Sequence, residues 1–319
     1  MRAMFNLTAV RTLAWFYLGK LKQGHSIAAP LEPETNAYLK PANPVLLDLR
    51  SRYEQVQNPG HSCWSVWEPR VNLRRFRAEN NYLSQANFRH SMNRYRLSAA
   101  YLEMIDDHGW LHSLEEDSKF GVKLWCVDRN LMLSRDLLDS ILELHWLKEC
   151  LGWNLCDSIS VLDIGAGYGR FAHRFTHAFP NGRITCLDAI ATSTFLCDFY
   201  LKYRRCERWK VVPFDRISEL DPGDFMLATN IHSWSEMPLA WVRLWLDLLT
   251  DLHVPYLFVV PNFEDLRTKE IDGSSGDYGH EIERHGYTCL VKNRKYRRSS
   301  LVDRFGVFPT DYYLFKRNW

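Results

Sequence analysis

The stretch VLDIGAGYGR at residues 161–170 decides the fold of this chain. Its apolar residues predict a short buried strand, its glycines predict a tight turn, and the amphipathic pattern that follows predicts a helix. Glycine permits the positive φ that such a turn demands, and it lets the backbone approach a ligand closely. The stretch therefore predicts a strand–turn–helix unit with a small molecule bound at the turn.

The spacing of the glycines distinguishes between two kinds of ligand. A dinucleotide site reads G-x-G-x-x-G and places a pyrophosphate on the helix N-terminus. Here the spacing is G-x-G-x-G, and Arg170 stands where the third dinucleotide glycine belongs. Asp163 would face a phosphate unfavourably, but its carboxylate can accept a hydrogen bond from an ammonium group. These features favour a cationic amino-acid ligand over a nicotinamide dinucleotide.

Acidic residues also end the next two predicted strands. Asp188 ends the second strand, where a carboxylate can accept hydrogen bonds from both hydroxyls of a ribose. Asp215 follows the third strand and can accept from an adenine amino group, although either carboxylate alone can also cap a helix or turn. Together with the turn, these carboxylates predict a site for S-adenosylmethionine. The predicted cofactor-binding residues are Asp163, Gly165, Ala166, Gly167, Gly169, Asp188, Asp215 and Asn230.

The chain divides into two parts with different patterns. From residue 158 onward, five short apolar runs are separated by helical patterns, which is typical of a parallel sheet with crossover helices. These runs span residues 160–164, 183–188, 209–214, 224–229 and 256–261, and two further runs at 287–292 and 312–316 are candidates to close the sheet, which gives seven candidate strands. Residues 1–155 show helix-period patterns without this alternation. We therefore predict a mainly helical N-terminal region over 1–155, which caps the acceptor side, and an α/β domain over 156–319.

The composition is that of an ordinary globular protein. Among its 319 residues, 46% are apolar and 24% are charged, which excludes collagenous, low-complexity and wholly disordered classes. The net charge of +2 offers no global attraction for nucleic acid, so no nucleic-acid partner is expected. The aromatic content of 14% occurs in sugar-facing clefts as well as in large cores and interfaces. The oligomeric state stays open, and a homo-oligomer is compatible with the sequence.

The cysteines and the N-terminus bear on location. Eight cysteines form no C-x-x-C pair and no zinc-like cluster along the sequence, and no export signal is evident. Reduced cysteines point to the cytoplasm. No apolar run reaches the roughly 18 residues of a transmembrane helix. The shorter run at residues 13–21 predicts a helix docked on the body, with a peripheral membrane-surface attachment as the alternative.

Over roughly residues 158–319 the chain resembles class I S-adenosylmethionine-dependent methyltransferases. The resemblance implies a Rossmann-like, seven-stranded, mostly parallel sheet with a reversed final hairpin. A narrower likeness comes from SRDLLDS at residues 134–140 and NIHSWSEM at residues 230–237, which look like bacterial sugar O-methyltransferases of polysaccharide gene clusters. In that family the second segment often reads Asn-x-x-Phe-Ser-Glu, from which His232 and Trp234 depart. The likeness implies a saccharide or glycoconjugate acceptor.

The segment after the fourth predicted strand of the domain supplies the expected catalytic residues. Ligands lie beyond the carboxyl ends of the strands in open α/β sheets, so residues 230–236 should lie beside the methyl group. Transfer to a hydroxyl needs alignment and a base. His232 has a reference pKa that suits a base, and Glu236 can orient it, bind acceptor hydroxyls or be the base itself. Asn230 can position the methionine moiety or a sugar hydroxyl.

Three further residues are predicted to contact the acceptor, each with a structural alternative. Tyr168 covers the cofactor or points outward, Trp234 stacks on a sugar ring or lies in the core, and Ser235 binds the acceptor or caps the next helix. No metal is predicted, because the loose carboxylate candidates have no recognisable ligand spacing. These candidates are Asp215, Glu236, Asp265 and Asp277.

Two functional alternatives remain beside the sugar O-methyltransferase. One is an O-methyltransferase of a non-sugar natural product, and the other is a non-catalytic protein that binds the cofactor and serves as a partner. The sequence lacks the Asn-Pro-Pro-Tyr motif that holds an exocyclic or amide nitrogen, which favours oxygen as the nucleophile. The basic run at residues 292–298 is either a solvated edge or a contact for an anionic acceptor.

Overall fold

The computed structural model describes residues 29–56, 62–79, 81–83, 91–114, 116–128, 131–262 and 265–318. The apolar run at residues 13–21, with its predicted docked helix or membrane attachment, lies outside the described residues. None of the helices in the described ranges is both long and apolar enough to cross a membrane.

Helices predominate in the described residues that precede the large sheet. They are α1 (Pro33–Tyr38), α2 (Pro44–Glu54), α3 (Trp64–Trp67), α4 (Ser91–Ile105) and α5 (Trp110–Ser113). An antiparallel pair of strands, β1 (Trp125–Asp128) and β2 (Leu131–Leu133), follows them, and the sequence did not predict it. The long helix α6 (Arg135–Leu151) then leads into the α/β part.

Residues at both ends of helix α6 explain where it begins and ends. The Ser134 side chain accepts a hydrogen bond from the Leu137 N–H at 2.9 Å, and Asp136 lies in the first turn, where a negative charge complements the helix dipole. Gly152 ends the helix in the left-handed conformation, with φ of 66°. Ser134 is therefore the N-cap of α6.

Seven strands form the large sheet. They are β3 (Ser160–Ile164), β4 (Arg183–Asp188), β5 (Trp209–Pro213), β6 (Leu227–Ile231), β7 (Tyr256–Val260), β8 (Tyr287–Arg294) and β9 (Asp311–Arg317). Their order across the sheet is β5-β4-β3-β6-β7-β9-β8. Strands β3 to β7 pair in parallel, whereas β9 runs antiparallel to both β7 and β8. This is a mostly parallel sheet with a reversed final hairpin, and the predicted α/β Rossmann-like fold class is confirmed.

Helices cover both faces of the sheet. Those of the α/β part are α7 (Arg170–Ala178), α8 (Ala191–Tyr203), α9 (Leu239–Asp251), α10 (Tyr278–Arg284) and α11 (Ser300–Phe305). Side chains alternate along a strand, so Val161 joins the buried cluster on one face and Leu162 joins the cluster on the other. The N-terminal residues contribute to both clusters, for example through Leu102 to the first and Phe76 to the second.

Candidate functional site

A cleft opens at the carboxyl ends of β3, β4 and β6. It contains about 910 Å³ of empty space, including open solvent at its mouth, which suits a small-molecule ligand. The α/β part supplies Asp163, Gly165, Ala166, Gly167, Tyr168, Arg170, Phe171, Asp188, Ala189, Ile190, Ser193, Ile231, His232, Ser233, Glu236, Met237, Trp241 and Trp245. The N-terminal region supplies Ser62, Trp64, Tyr82 and Leu83.

The glycine turn at the floor of the cleft needs glycine for both conformation and space. Gly165 and Gly167 have φ of 72° and 58°, a region that L side chains rarely adopt. A Cβ atom on Gly165 would lie 2.0 Å from the Ser233 Oγ, and one on Gly167 would lie 3.1 Å from the Tyr82 ring. The turn is therefore packed closely against the segment that follows β6 and against the N-terminal region.

Asp163 lies at the end of β3 and is only 3% exposed. Its Oδ1 accepts a hydrogen bond from the Thr229 hydroxyl at 2.6 Å. Burial raises the pKa of this carboxyl to about 7, although the Thr229 hydrogen bond and the Arg170 guanidinium oppose the shift. A desolvated carboxyl that faces a cleft favours a cationic or hydrogen-bond-donating ligand, because such a ligand stabilises the charge that burial disfavours.

Asp188 ends the neighbouring strand β4 and lines the same cleft. Its two carboxylate oxygens accept hydrogen bonds from the backbone N–H groups of Gly167 and Ile190, both at 2.9 Å. Burial nevertheless raises its pKa to about 7. The structure thus brings together Asp163, the glycine turn and Asp188, three parts of the predicted cofactor site.

Asp215 is placed differently from these two carboxyl groups. It follows β5 but does not line the cleft, and the Arg52 guanidinium of α2 donates a hydrogen bond to its Oδ2 at 2.6 Å. The hydroxyl of Tyr53 in the same helix accepts a hydrogen bond from the Phe214 N–H at 2.7 Å. Helix α2 therefore covers the end of β5, and Asp215 Oδ1 is buried without a hydrogen-bond partner among the described residues.

Asn230 connects the end of β6 to the glycine turn. Its Nδ2 donates to the Ile164 carbonyl at 2.8 Å and to the Ser233 Oγ at 2.6 Å, and its Oδ1 accepts from the Trp234 N–H at 3.0 Å. The side chain is 1% exposed and does not line the cleft. Its observed role is to hold neighbouring backbone in place.

His232 forms part of the cleft wall with an unusual backbone. Its φ is 72°, which is rare for a residue other than glycine, and its N–H donates to the Val260 carbonyl at 2.7 Å. The Nδ1 atom is buried and has no hydrogen-bond partner among the described residues. Burial, together with the charges of Arg135 and Arg170, lowers the pKa of His232 to about 3. The imidazole is therefore neutral and weakly basic.

Glu236 lines the cleft, held between two distant parts of the chain. Its carboxylate accepts from the Trp64 Nε1–H at 2.9 Å and from the Asn262 Nδ2–H at 2.8 Å. Burial raises the pKa of Glu236, which makes its carboxylate a stronger base. Trp64 and Asn262 are site residues that sequence reasoning missed, because no local pattern links either of them to Glu236.

The three residues predicted to contact an acceptor do not share one position. Tyr168 lines the cleft, and its hydroxyl donates a hydrogen bond to the Asp136 carboxylate. Trp234 is fully buried, with its ring edge-on to Tyr278 at 6.0 Å, so it lies in the core, the second of its predicted positions. Ser235 is also buried, with its hydroxyl 3.3 Å from the Tyr278 hydroxyl.

Aromatic residues of the N-terminal region cover the glycine turn. Tyr82 stacks on Trp64 at 5.2 Å and lies edge-on to Tyr168 at 5.6 Å. Its hydroxyl is hydrogen-bonded to that of Ser193 at 3.1 Å. Together with the Trp64 bond to Glu236, these contacts place the N-terminal region over the cleft.

Buried ion pairs hold the N-terminal region against the turn. The fully buried Arg77 pairs with Glu116 at 2.7 Å, and with Asp117 and Asp136 at 2.9 Å each. Asp136 also accepts a hydrogen bond from the Tyr168 hydroxyl, so the network continues into the glycine turn. Arg170 joins a second buried group, in which its guanidinium bonds both carboxylate oxygens of Glu143.

Every cation of the basic run at residues 292–298 has a carboxylate partner. Lys292 pairs with Asp311, Arg294 with Asp303 and Asp311, Lys295 with Asp139, and both Arg297 and Arg298 with Glu149. No residue of the run lines the cleft. The Lys295–Asp139 pair is buried beside α6, whereas the pairs of Lys292 and Arg298 lie at the surface.

Comparisons with known proteins give similarity at the level of fold. Neither a family model nor a curated protein matches the chain. A methyltransferase from Aquifex aeolicus, described as dependent on S-adenosylmethionine, is 13% identical and covers 54% of this chain and 88% of its own, with a TM-score of 0.40. A Leishmania major methyltransferase, described in the same way, is 15% identical and covers 56% of this chain and 72% of its own, with a TM-score of 0.41.

A third solved structure, a mitomycin 7-O-methyltransferase, is 16% identical. The alignment covers 57% of this chain and 56% of that one, with a TM-score of 0.38. These likenesses extend over about half of the present chain. The fold assignment itself rests on the strand order of the sheet.

Proposed function

We propose that this protein is an S-adenosylmethionine-dependent methyltransferase that acts on a hydroxyl group. The observation that carries the proposal is the pair of buried carboxyl groups, Asp163 and Asp188, on either side of the glycine turn. A ligand ammonium group beside Asp163 and ribose hydroxyls beside Asp188 would stabilise the charges that burial disfavours. The closely packed turn supplies the floor on which such a ligand rests.

The cofactor, when bound, supplies a methyl group on a positively charged sulfur. The protein must hold the acceptor oxygen in line with that methyl group and remove the hydroxyl proton. We assign proton removal to Glu236, because burial raises its pKa, whereas burial lowers that of His232. Hydrogen bonds from Trp64 and Asn262 fix the Glu236 carboxylate, and its oxygens keep lone pairs for the proton.

This assignment gives His232 a supporting role in place of the base role expected from the sequence. Its neutral imidazole forms part of the cleft wall, where it can exchange hydrogen bonds with an acceptor hydroxyl. Its left-handed backbone fixes the direction in which the side chain leaves β6. His232 is therefore proposed to orient the acceptor, and Glu236 to take the proton.

A saccharide or glycoconjugate hydroxyl is the proposed acceptor. The likeness of residues 134–140 and 230–237 to sugar O-methyltransferases supports it, as does the presence of Trp64 in the cleft wall, since an indole face can pack on a sugar ring. The apolar wall formed by Ile231, Met237 and Trp241 favours a second candidate, a hydroxyl on an apolar natural product.

Calorimetry tests the cofactor part of the proposal. The protein should bind S-adenosylmethionine and its demethylated product, and Asp188→Asn should weaken both by about 10- to 100-fold, because a buried charged acceptor is lost. Asp198→Asn is a matched control, since Asp198 lies on α8 and pairs with Lys202 at the surface. Preferential binding of a nicotinamide dinucleotide would contradict the proposal.

Labelled cofactor tests the acceptor part. The protein is incubated with glycans, nucleotide sugars, and phenolic and aliphatic natural products, and the labelled atom is located. We expect the label on a sugar hydroxyl. Transfer to a natural-product hydroxyl alone would replace the saccharide with the second candidate, and cofactor binding without any transfer would favour a non-catalytic partner protein.

A further inference from the structure

Three metal-ligating side chains come together outside the cleft. His173 and His177 lie on α7, and Cys206 follows the end of α8. One ligand atom from each lies within 4.8 Å of the other two. A strand and a helix separate His177 from Cys206 in the sequence. None of the three residues lines the candidate active site.

Local structure explains how the three side chains meet. Residues four apart share one face of a helix, and the rings of His173 and His177 lie 4.9 Å apart. Arg205 ends α8 in the left-handed conformation, with φ of 52°, and the Cys206 N–H bonds the Leu201 carbonyl at 3.0 Å. This helix-ending turn brings Cys206 back beside α7.

Hydrogen bonds fix where the lone pairs of both imidazoles lie. The His177 Nδ1 lies 2.7 Å from the His173 carbonyl, which can only accept, so Nδ1 carries the proton and Nε2 is left as the acceptor in the neutral ring. The Arg204 Nε–H donates to the His173 Nε2 at 3.0 Å, so this ring also has its lone pair on Nε2. His177 is thus arranged as metal ligands usually are, with its Nδ1–H bonded to a carbonyl, whereas the Nε2 lone pair of His173 is taken by Arg204.

We propose that His173, His177 and Cys206 bind a zinc ion, with a fourth position open to water. Two imidazoles and a thiolate suit the borderline-soft Zn²⁺ ion, which prefers four ligands in a tetrahedral arrangement. His177 is exposed and gives the ion a route from solvent, whereas His173 is buried. The bound ion would join α7 to the end of α8, a role separate from the proposed methyl transfer.

Binding requires two local changes. Arg204 leaves the His173 Nε2 and keeps its pair with Asp117. The Cys206 thiol releases its proton to solvent as the metal–sulfur bond forms. The net charge of the ion with one thiolate is +1, and the carboxylates Glu116 and Asp117 already pair with Arg174 and Arg204.

Cobalt substitution tests the site in the full chain. The protein is stripped with a chelator and titrated with Co²⁺, whose visible spectrum reports tetrahedral geometry and whose near-ultraviolet charge-transfer band reports a thiolate ligand. We expect one Co²⁺ per chain with both signals, displacement by Zn²⁺, and a higher Tm in the presence of Zn²⁺.

Two variants and two matched controls complete the test. Cys206→Ser should remove the thiolate band, and His177→Ala should weaken Co²⁺ binding by more than about tenfold, since loss of even an outer contact to a metal ligand costs that much. Cys156→Ser and His280→Ala change an exposed cysteine and an exposed histidine and should bind as wild type does. Absence of the thiolate band from the wild type, or wild-type Co²⁺ affinity in His177→Ala, would overturn the proposal.

Discussion

Asp163 is a carboxyl group whose charge depends on what occupies the cleft. Burial raises its pKa to about 7, so the cleft carboxyl takes up a proton as the pH falls through neutrality. The folded state then holds more protons than the unfolded state between about pH 4 and pH 7, and this group's contribution to stability decreases as the pH rises through that window. A cationic ligand reverses the preference, because it favours the ionised form.

The affinity for S-adenosylmethionine should therefore decrease as the pH is lowered below 7. We expect a loss of up to about tenfold per pH unit for each carboxyl group that must lose a proton, measured by calorimetry from pH 8 to pH 6. The Asp163→Asn variant should bind the cofactor weakly. Its affinity should depend less steeply on pH, because only the contribution of Asp188 remains. A flat profile in the wild type would contradict the assigned ammonium contact.

Glu236 and His232 differ in how burial changes their pKa values, and kinetics can separate their roles. Glu236→Gln keeps the shape of the side chain but removes the base, so kcat should fall by about 10²- to 10⁴-fold. The wild-type kcat should rise with pH through a carboxyl titration above the ordinary glutamate range, and the variant should lose this rise. His232→Ala should chiefly raise the acceptor KM. A large fall in kcat for His232→Ala, with Glu236→Gln close to wild type, would return the base role to the imidazole.

The predictable part of the site lies close together in the sequence. Asp163, the glycine turn and Asp188 belong to one strand–turn–helix–strand unit, in which local pattern determines which side chains meet. The bond of Trp64 to Glu236 and that of Arg52 to Asp215 join residues 172 and 163 positions apart. Contacts at such separations depend on how the N-terminal region packs, for which a single sequence carries no periodic signal.

At the scale of elements, the predicted and observed ends of β6 differ, because polar residues belong to this buried strand. The apolar run at residues 224–229 predicted a strand, but β6 spans Leu227–Ile231. Asn230 continues the strand past the predicted end, and its side chain donates a hydrogen bond to the Ile164 carbonyl. Satisfied hydrogen bonds allow polar residues in a central strand, and a hydrophobicity pattern does not contain that information.

Arg77 joins separate elements through charges that are buried together. Replacing it with Met would leave the buried carboxylates of Glu116 and Asp136 without their main cation, so Arg77→Met should lower the free energy of unfolding by about 3–5 kcal/mol, measured by urea denaturation. Arg216→Met is the control, because Arg216 forms an exposed pair with Glu219 and should change stability by less than about 1 kcal/mol. Equal effects of the two substitutions would show that the Arg77 network adds no stability beyond a surface pair.

At the scale of the whole molecule, the N-terminal region and the sheet share their cores. Both buried clusters draw residues from before and after position 156, and the carboxylates that pair with Arg77 also bond Tyr168, Arg174 and Arg204 beyond that position. The region that the sequence marks as a separate cap is thus packed into the body. Its aromatic residues, Trp64 and Tyr82, form one wall of the cleft, so the shape of the cleft depends on both parts of the chain.

We expect Tyr82 of the N-terminal region to control how fast the cofactor enters and leaves the cleft. Its ring lies against Gly167 and stacks on Trp64, and its hydroxyl bonds Ser193, so a bound cofactor on the glycine turn would be covered by it. Tyr82→Ala removes an aromatic contact and a hydrogen bond, each worth about 0.5–1.5 kcal/mol, and should raise the cofactor release rate by about 5- to 150-fold in stopped-flow experiments.

Tyr82→Phe separates the two contributions of this side chain. It keeps the ring over the turn and loses only the hydrogen bond to Ser193, so release should accelerate by about 2- to 12-fold at most. If covering by the ring controls exchange, the alanine variant must release the cofactor faster than the phenylalanine variant does. Equal release from both variants would assign control to the hydroxyl alone, and wild-type release from the alanine variant would show that the N-terminal region shapes the cleft without restraining the ligand in it.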